Sequence, residues 1–194
     1  MLKNKDRIPL FMGILFLLNV AASVTAAWTA GRHRYDLGIS FSAYVGMYRP
    51  MSVVWFISAA VMTVLLSYYV AKTKMPRAKK AVYAVMFLCI FGTAFFPFNT
   101  FSDAPTAVTI DLHNYFAIAL MLFTTVCFVI TLITAKDKRQ RICAALSVLY
   151  AAVFIVLYFM GLPALFKVFF ICENMFILLL LLSLYTERYG EEAG

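Results

Sequence analysis

Apolar residues along this chain neither alternate nor recur on one narrow stripe. They run on without a break, in six stretches of about twenty residues separated by polar gaps. The stretches are Ile8–Ala30, Met51–Ala71, Ala81–Phe98, Leu112–Ala135, Ile142–Met160 and Pro163–Thr186. About 20 apolar residues of α-helix cross the roughly 30 Å hydrocarbon layer of a bilayer. A helix also satisfies its own backbone N–H and C=O groups, which lipid cannot do. The pattern predicts an all-α, six-transmembrane-helix bundle, a single transmembrane domain over residues 1–194.

Prolines agree with these boundaries. Pro50 and Pro163 fall where helices would begin, positions at which a missing N–H costs little. Pro97 would close the third span, and Pro76 interrupts the second gap. Met-Leu-Lys-Asn-Lys-Asp-Arg at the N-terminus looks like the start of a signal peptide, but the apolar run behind it is too long, so a retained first span is expected.

Charge sets an orientation. Thirteen of the 17 Lys and Arg residues lie in the N-terminal segment, the second and fourth gaps and the tail. Arg32, Arg34, Arg49 and Lys167 are the four on the other side. Cytoplasmic loops carry the basic excess, so both termini are expected in the cytoplasm of a cell-membrane protein. Trp28, Tyr35, Tyr44, Tyr48, Tyr115, Tyr185 and Tyr189 cluster near span ends, where their polar tips suit the headgroup zone.

Composition removes other classes. Hydrophobic residues are 64% and charged residues 13% of the chain, and no core of this size could hide that much apolar surface from water. A net charge of +8 would raise nucleic acid as a partner, but the basic residues sit in short blocks beside apolar runs, the pattern of membrane anchoring. Nucleic acid is therefore excluded. Membrane lipids are the expected partners, with a homo-oligomer or a membrane partner protein as further alternatives. Cys89, Cys127, Cys143 and Cys172 show no CxxC or Cys/His spacing and read as small buried hydrophobes. No cofactor and no metal are expected.

Polar residues inside a bilayer are default candidates for function. Glu173 is the clearest, ten residues into the sixth span beside Asn174. Asp111, His113 and Asn114 open the fourth span, with Asp111 placed to cap it. Asn19 and Ser23 lie one turn apart in the first. The first gap holds Arg32, His33, Arg34 and Asp36, then a segment in which Leu37, Phe41, Tyr44, Val45 and Tyr48 fit a helical stripe. Ile39, Phe41, Ala43, Val45 and Met47 fit a strand alternation equally well. The favoured reading is a short amphipathic piece at the outer interface, roofing the bundle.

By topology these groups converge on the outer side. The expectation is an outward-facing polar pocket in the upper third, with Glu173, His113, Asp111, Asn114, His33, Asp36, Arg34 and Lys167 as candidate ligand-binding residues. The cytoplasmic half would be an apolar scaffold. The plainest reading is structural, His113 bonding a loop carbonyl and Glu173 pairing with Lys167 or a first-gap arginine. The favoured function is a non-catalytic membrane protein that binds a lipid or small amphiphile there, or scaffolds a partner. A membrane-embedded lipid-modifying enzyme would use His113 with Glu173 or Asp111. A proton-coupled transporter would use Glu173, though no repeat or broken helix is evident.

Three segments carry a resemblance: Asp36-Leu-Gly-Ile-Ser-Phe-Ser-Ala-Tyr-Val-Gly before a span, Phe96-Pro97 closing the third span, and His113-Asn114 opening the fourth. The chain resembles the bacterial six-helix membrane family of unknown function numbered 998, similar in layout to the DRAM-like membrane proteins. The resemblance implies a six-span bundle with an outward cap from the first loop, and a link to lipid organisation. It supplies no catalytic residues. Pro97 and His113 are the matching positions.

Overall fold

The computed structural model describes residues 8–29, 40–46, 49–96, 107–162 and 168–192. Every extended element among them is a helix: α1 (Ile8–Thr29), α2 (Phe41–Gly46), α3 (Arg49–Lys72), α4 (Arg77–Phe95), α5 (Ala107–Thr134), α6 (Lys138–Phe159) and α7 (Phe169–Glu192). Six of these are long and apolar enough to cross a membrane, the architecture of a multi-pass integral membrane protein. Their outer faces are apolar too. Leu10, Leu18, Val64, Leu88, Ile133, Leu146 and Leu149 are all exposed, which only lipid makes tolerable.

The six long helices close into a ring. α1 packs on α3 and α7, α3 on α4, α4 on α5, α5 on α6, and α6 on α7, with a further contact between α5 and α7. Successive helices are antiparallel, so the bundle has two ends. One, here the terminal end, holds the start of α1 and the finish of α7. The far end holds α2.

Local chemistry sets the helix limits. Asp137 caps α6, its carboxylate accepting from Arg139 N at 3.2 Å and Gln140 N at 3.4 Å. That pulls the helix start four residues ahead of the apolar run. Gly161 follows α6 with φ +68°, a conformation that costs glycine nothing. Within the spans, Thr125, Thr131 and Thr134 donate their hydroxyls to the carbonyl four residues back, so each is satisfied inside its own helix.

Several boundaries differ from the sequence expectation. α5 begins at Ala107, so Asp111 is not its cap; it lies a full turn inside, on an exposed face. α7 continues to Glu192, so the acidic tail from Gly190 extends the helix rather than trailing from it. In the first gap the helical alternative is the one adopted, as the six-residue α2 packed against α1, α3 and α7.

Depth along the bundle follows from one hydrogen bond. The Tyr69 hydroxyl of α3 donates to the Leu184 carbonyl of α7 at 2.9 Å, so the two residues are level. Tyr69 is 20 residues, about 30 Å of rise, from Arg49 at the start of α3. Glu173 is 11 residues, about 16 Å, from Leu184 in the same direction. Glu173 is also four residues, about 6 Å of rise, from the start of α7 at Phe169, and so lies in the far half of the bundle. Phe41 N donates to Glu173 Oε2 at 2.7 Å, so α2 begins at that depth. It then climbs, because the Val45 carbonyl accepts from Ser52 Oγ at 2.9 Å, three residues into α3. α2 is a short helix packed among α1, α3 and α7 in the far half of the bundle.

Candidate functional site

Two anchors hold α2 in the bundle. Phe41 and Val45 are buried and face the interior at helical spacing. The Phe41 ring meets Phe16 of α1 at 5.6 Å and Trp55 of α3 at 5.0 Å, both edge-on, and is packed as an aromatic wedge between those helices. The second anchor is polar. The first N–H groups of any helix lack an intrahelical acceptor, and Glu173 supplies one to Phe41 from α7. The carboxylate is partly buried and its oxygen is fixed by a donor 132 residues away in the chain. Beside it the Tyr150 hydroxyl of α6 donates to the Cys172 carbonyl at 2.8 Å, tying α6 to α7 at the same height.

His113 has a different task. It is 5% exposed, and its Nδ1 faces two carbonyls at the end of α4, Thr93 O at 3.0 Å and Phe96 O at 2.6 Å. Carbonyls only accept, so Nδ1 carries the proton. The next helical bond would run from the N–H of residue 97 to Thr93 O. Residue 97 is proline and has no N–H. His113 replaces that missing donor from the neighbouring helix. Close approach of the helices makes this reachable: a Cβ on Gly92 would stand 2.5 Å from the Phe116 ring, so only glycine lets Phe116 lie against α4. Phe116 also stacks on Phe96 at 5.8 Å and 8°.

Among the described candidates, the hydrogen bonds of His113 and Glu173 go to different elements. His113 turns to α4 and Glu173 to α2. Asp111 is exposed, and Asn114 is half-buried beside His113. His33, Arg34, Asp36 and Lys167 lie outside the described residues. Glu173 Oε2 accepts from the Phe41 backbone N–H, and the cations expected to pair with Glu173 fall outside the described side chains. The structural expectation for His113 holds, with helix-end carbonyls as its partners.

The terminal half is also less bland than expected. Lys79 is 2% exposed, with Nζ hydrogen-bonded to Thr131 Oγ1 and lying 5.9 Å from the centroid of the Tyr83 ring. Gln140, Ser147 and Ser183 are buried as well. The polar interior thus runs through both halves and is not confined to the far end. Lys79 was grouped with the surface anchors of the second gap, yet a signal was present. Lys79, Tyr83, Met86 and Ile90 recur at i, i+4, i+7 and i+11, and all four are buried.

Among the described residues, no three His, Cys, Asp or Glu side chains come together as a metal-holding group. Cys89 and Cys127 are buried as expected, and all four cysteines are free. Comparison of the chain with protein-family models, with curated proteins and with solved structures finds no match.

Proposed function

We propose that the protein is a non-catalytic membrane protein that holds a lipid or small amphiphile against α2, in a cleft open toward the far end. One observation carries this reading: the short helix α2 is docked on the Glu173 carboxylate between aromatic side chains. Buried Phe16 and Phe41 back an apolar surface to which the half-buried Trp55 contributes, and the Glu173 carboxylate and α2 backbone offer polar groups beside it. That combination suits a molecule with an apolar body and a polar end. The basic residues near the terminal end support cytoplasmic termini, a cleft facing outward and a location in the cell membrane. The resemblance to the family numbered 998 points the same way, toward lipid.

Native mass spectrometry of gently extracted protein tests the reading. A retained adduct of lipid mass is expected, with occupancy lowered several-fold by Trp55→Ala. A bare wild-type chain, with no partner on pull-down, would count against it.

The proton-coupled transporter is the second reading. The observation favouring it is the same short helix docked on an ionisable residue within an apolar span, an arrangement found where ions cross membranes. Proteoliposomes loaded with a pH-sensitive dye would show dissipation of an imposed pH gradient that Glu173→Gln abolishes; no flux above empty vesicles would set it aside. The lipid-modifying enzyme gains less support, since His113 Nδ1 is held by two carbonyls.

A further inference from the structure

Two amide side chains on adjoining helices carry oxygens that no hydrogen bond uses. Asn19 of α1 is 4% exposed and Asn174 of α7 is 8% exposed. Each donates Nδ2 to the carbonyl four residues back in its own helix, Leu15 O at 2.8 Å and Phe170 O at 2.7 Å. A carbonyl can only accept, so the bonded atom is the amide nitrogen and the oxygen is left over. Both Oδ1 atoms are buried without a partner, and so is Ser23 Oγ, one turn beyond Asn19. At this depth neither lipid nor bulk water satisfies them, and native proteins seldom keep such groups unoccupied.

Their heights coincide. Leu181 Cδ1 lies 4.0 Å from where a Cβ on Gly13 would stand, which sets α1 against α7. Asn19 is six residues from Gly13 toward the far end, about 9 Å of rise; Asn174 is seven from Leu181, about 10 Å. Glu173 is the chain neighbour of Asn174. Its Oε2 takes the Phe41 N–H, and Oε1 is the oxygen outside that bond.

We propose that Asn19, Ser23, Glu173 and Asn174 form a binding site for a monovalent alkali cation in the far half of the bundle. The donors are all oxygens, two amide, one hydroxyl and one carboxylate, which suit a hard cation rather than a thiophilic or imidazole-preferring metal. One carboxylate balances one positive charge. A divalent ion would leave a net charge buried among apolar side chains, and Mg²⁺ also gives up its water reluctantly. The cation would bridge α1 and α7 directly beneath the start of α2, so its binding and the docking of α2 share Glu173. The proposal stands apart from the amphiphile reading; a chain that retains no lipid still answers the test below.

The test is thermal unfolding of the full chain in detergent, in sodium, potassium or choline chloride at equal ionic strength. Ligand bound only to the folded state raises Tm saturably. The expected result is a saturable rise with sodium or potassium over choline. Replacing both amides (Asn19→Leu with Asn174→Leu) abolishes that rise while leaving the choline Tm equal or higher, because two unsatisfied oxygens have been removed. The smaller change Ser23→Ala weakens the half-saturating concentration at least threefold and covers the case in which the double variant fails to fold. Equal Tm in all three salts would mean that water alone fills the layer and would overturn the proposal. So would an alkali response that survives every one of these substitutions.

Discussion

Phe41 and Glu173 are 132 residues apart in the chain, and the backbone N–H of the first is held by the carboxylate of the second at 2.7 Å. This contact makes α2 an element of the bundle interior. It also gives Glu173 a structural task. Glu173→Leu is expected to cost about 2–3 kcal/mol, the range for a hydrogen bond to a charged group left with an unsatisfied donor. Glu173→Gln should cost less, since an amide oxygen still accepts. Unfolding in mixed micelles by added denaturing detergent measures both. Equal stability of the Leu and Gln variants would contradict the assignment.

His113 and Pro97 are expected to be coupled. His113→Ala leaves two carbonyls at the end of α4 without their donor, for about 1–3 kcal/mol. Pro97→Ala restores the N–H that a continued α-helix would direct at the carbonyl four residues back, so His113→Ala should cost at least about 0.5 kcal/mol less in that background. The same unfolding assay, run as a double-mutant cycle, reads the difference. Strict additivity would mean that His113 does not stand in for the proline's missing donor.

Gly92→Ala places a methyl group 2.5 Å from the Phe116 ring, too close for either to stay. The expected cost is about 1–3 kcal/mol, from overpacking and separation of α4 and α5. Phe116→Leu in the same chain should recover much of it. A neutral Gly92→Ala would show that the helices are not in such close contact.

Lys79 offers the opposite expectation. Thr131 Oγ1 donates to Cys127 O at 2.7 Å and keeps that bond when Lys79 is removed. Lys79→Met exchanges a buried ammonium for an apolar chain of similar length, so stability should fall by no more than about 1 kcal/mol and could rise. A loss above about 3 kcal/mol would instead identify Lys79 as the partner of a buried charge.

Much of the fold was legible because lipid imposes a simple rule. A span needs length and apolarity, and both are read by inspection, so the six helices emerged with ends displaced by a few residues. Those displacements have local causes. The Asp137 cap drew α6 back into a charged segment, and α5 absorbed Asp111 instead of starting at it. The site was read less well. Topology brings His113 and Glu173 to the same half of the bundle, but it cannot say which way a side chain turns. His113 found α4 through a donor deleted by Pro97, a relation visible only once the helices are neighbours. α2 was recognised as a helical alternative, but its depth depends on Glu173, a contact with no sequence periodicity. Lys79 was misplaced because charge was counted by gap and not by helix face.

Amide hydrogen exchange at Phe41, followed in the full chain in detergent or nanodiscs, tests the docking of α2 on Glu173 most directly. In the wild-type protein this amide should be protected at least a hundredfold over an unstructured peptide. Glu173→Leu should release it selectively, leaving mid-span amides of α5 and α6 unchanged. A Phe41 amide that exchanges freely in the wild type, or that is equally slow in both proteins, would contradict the account.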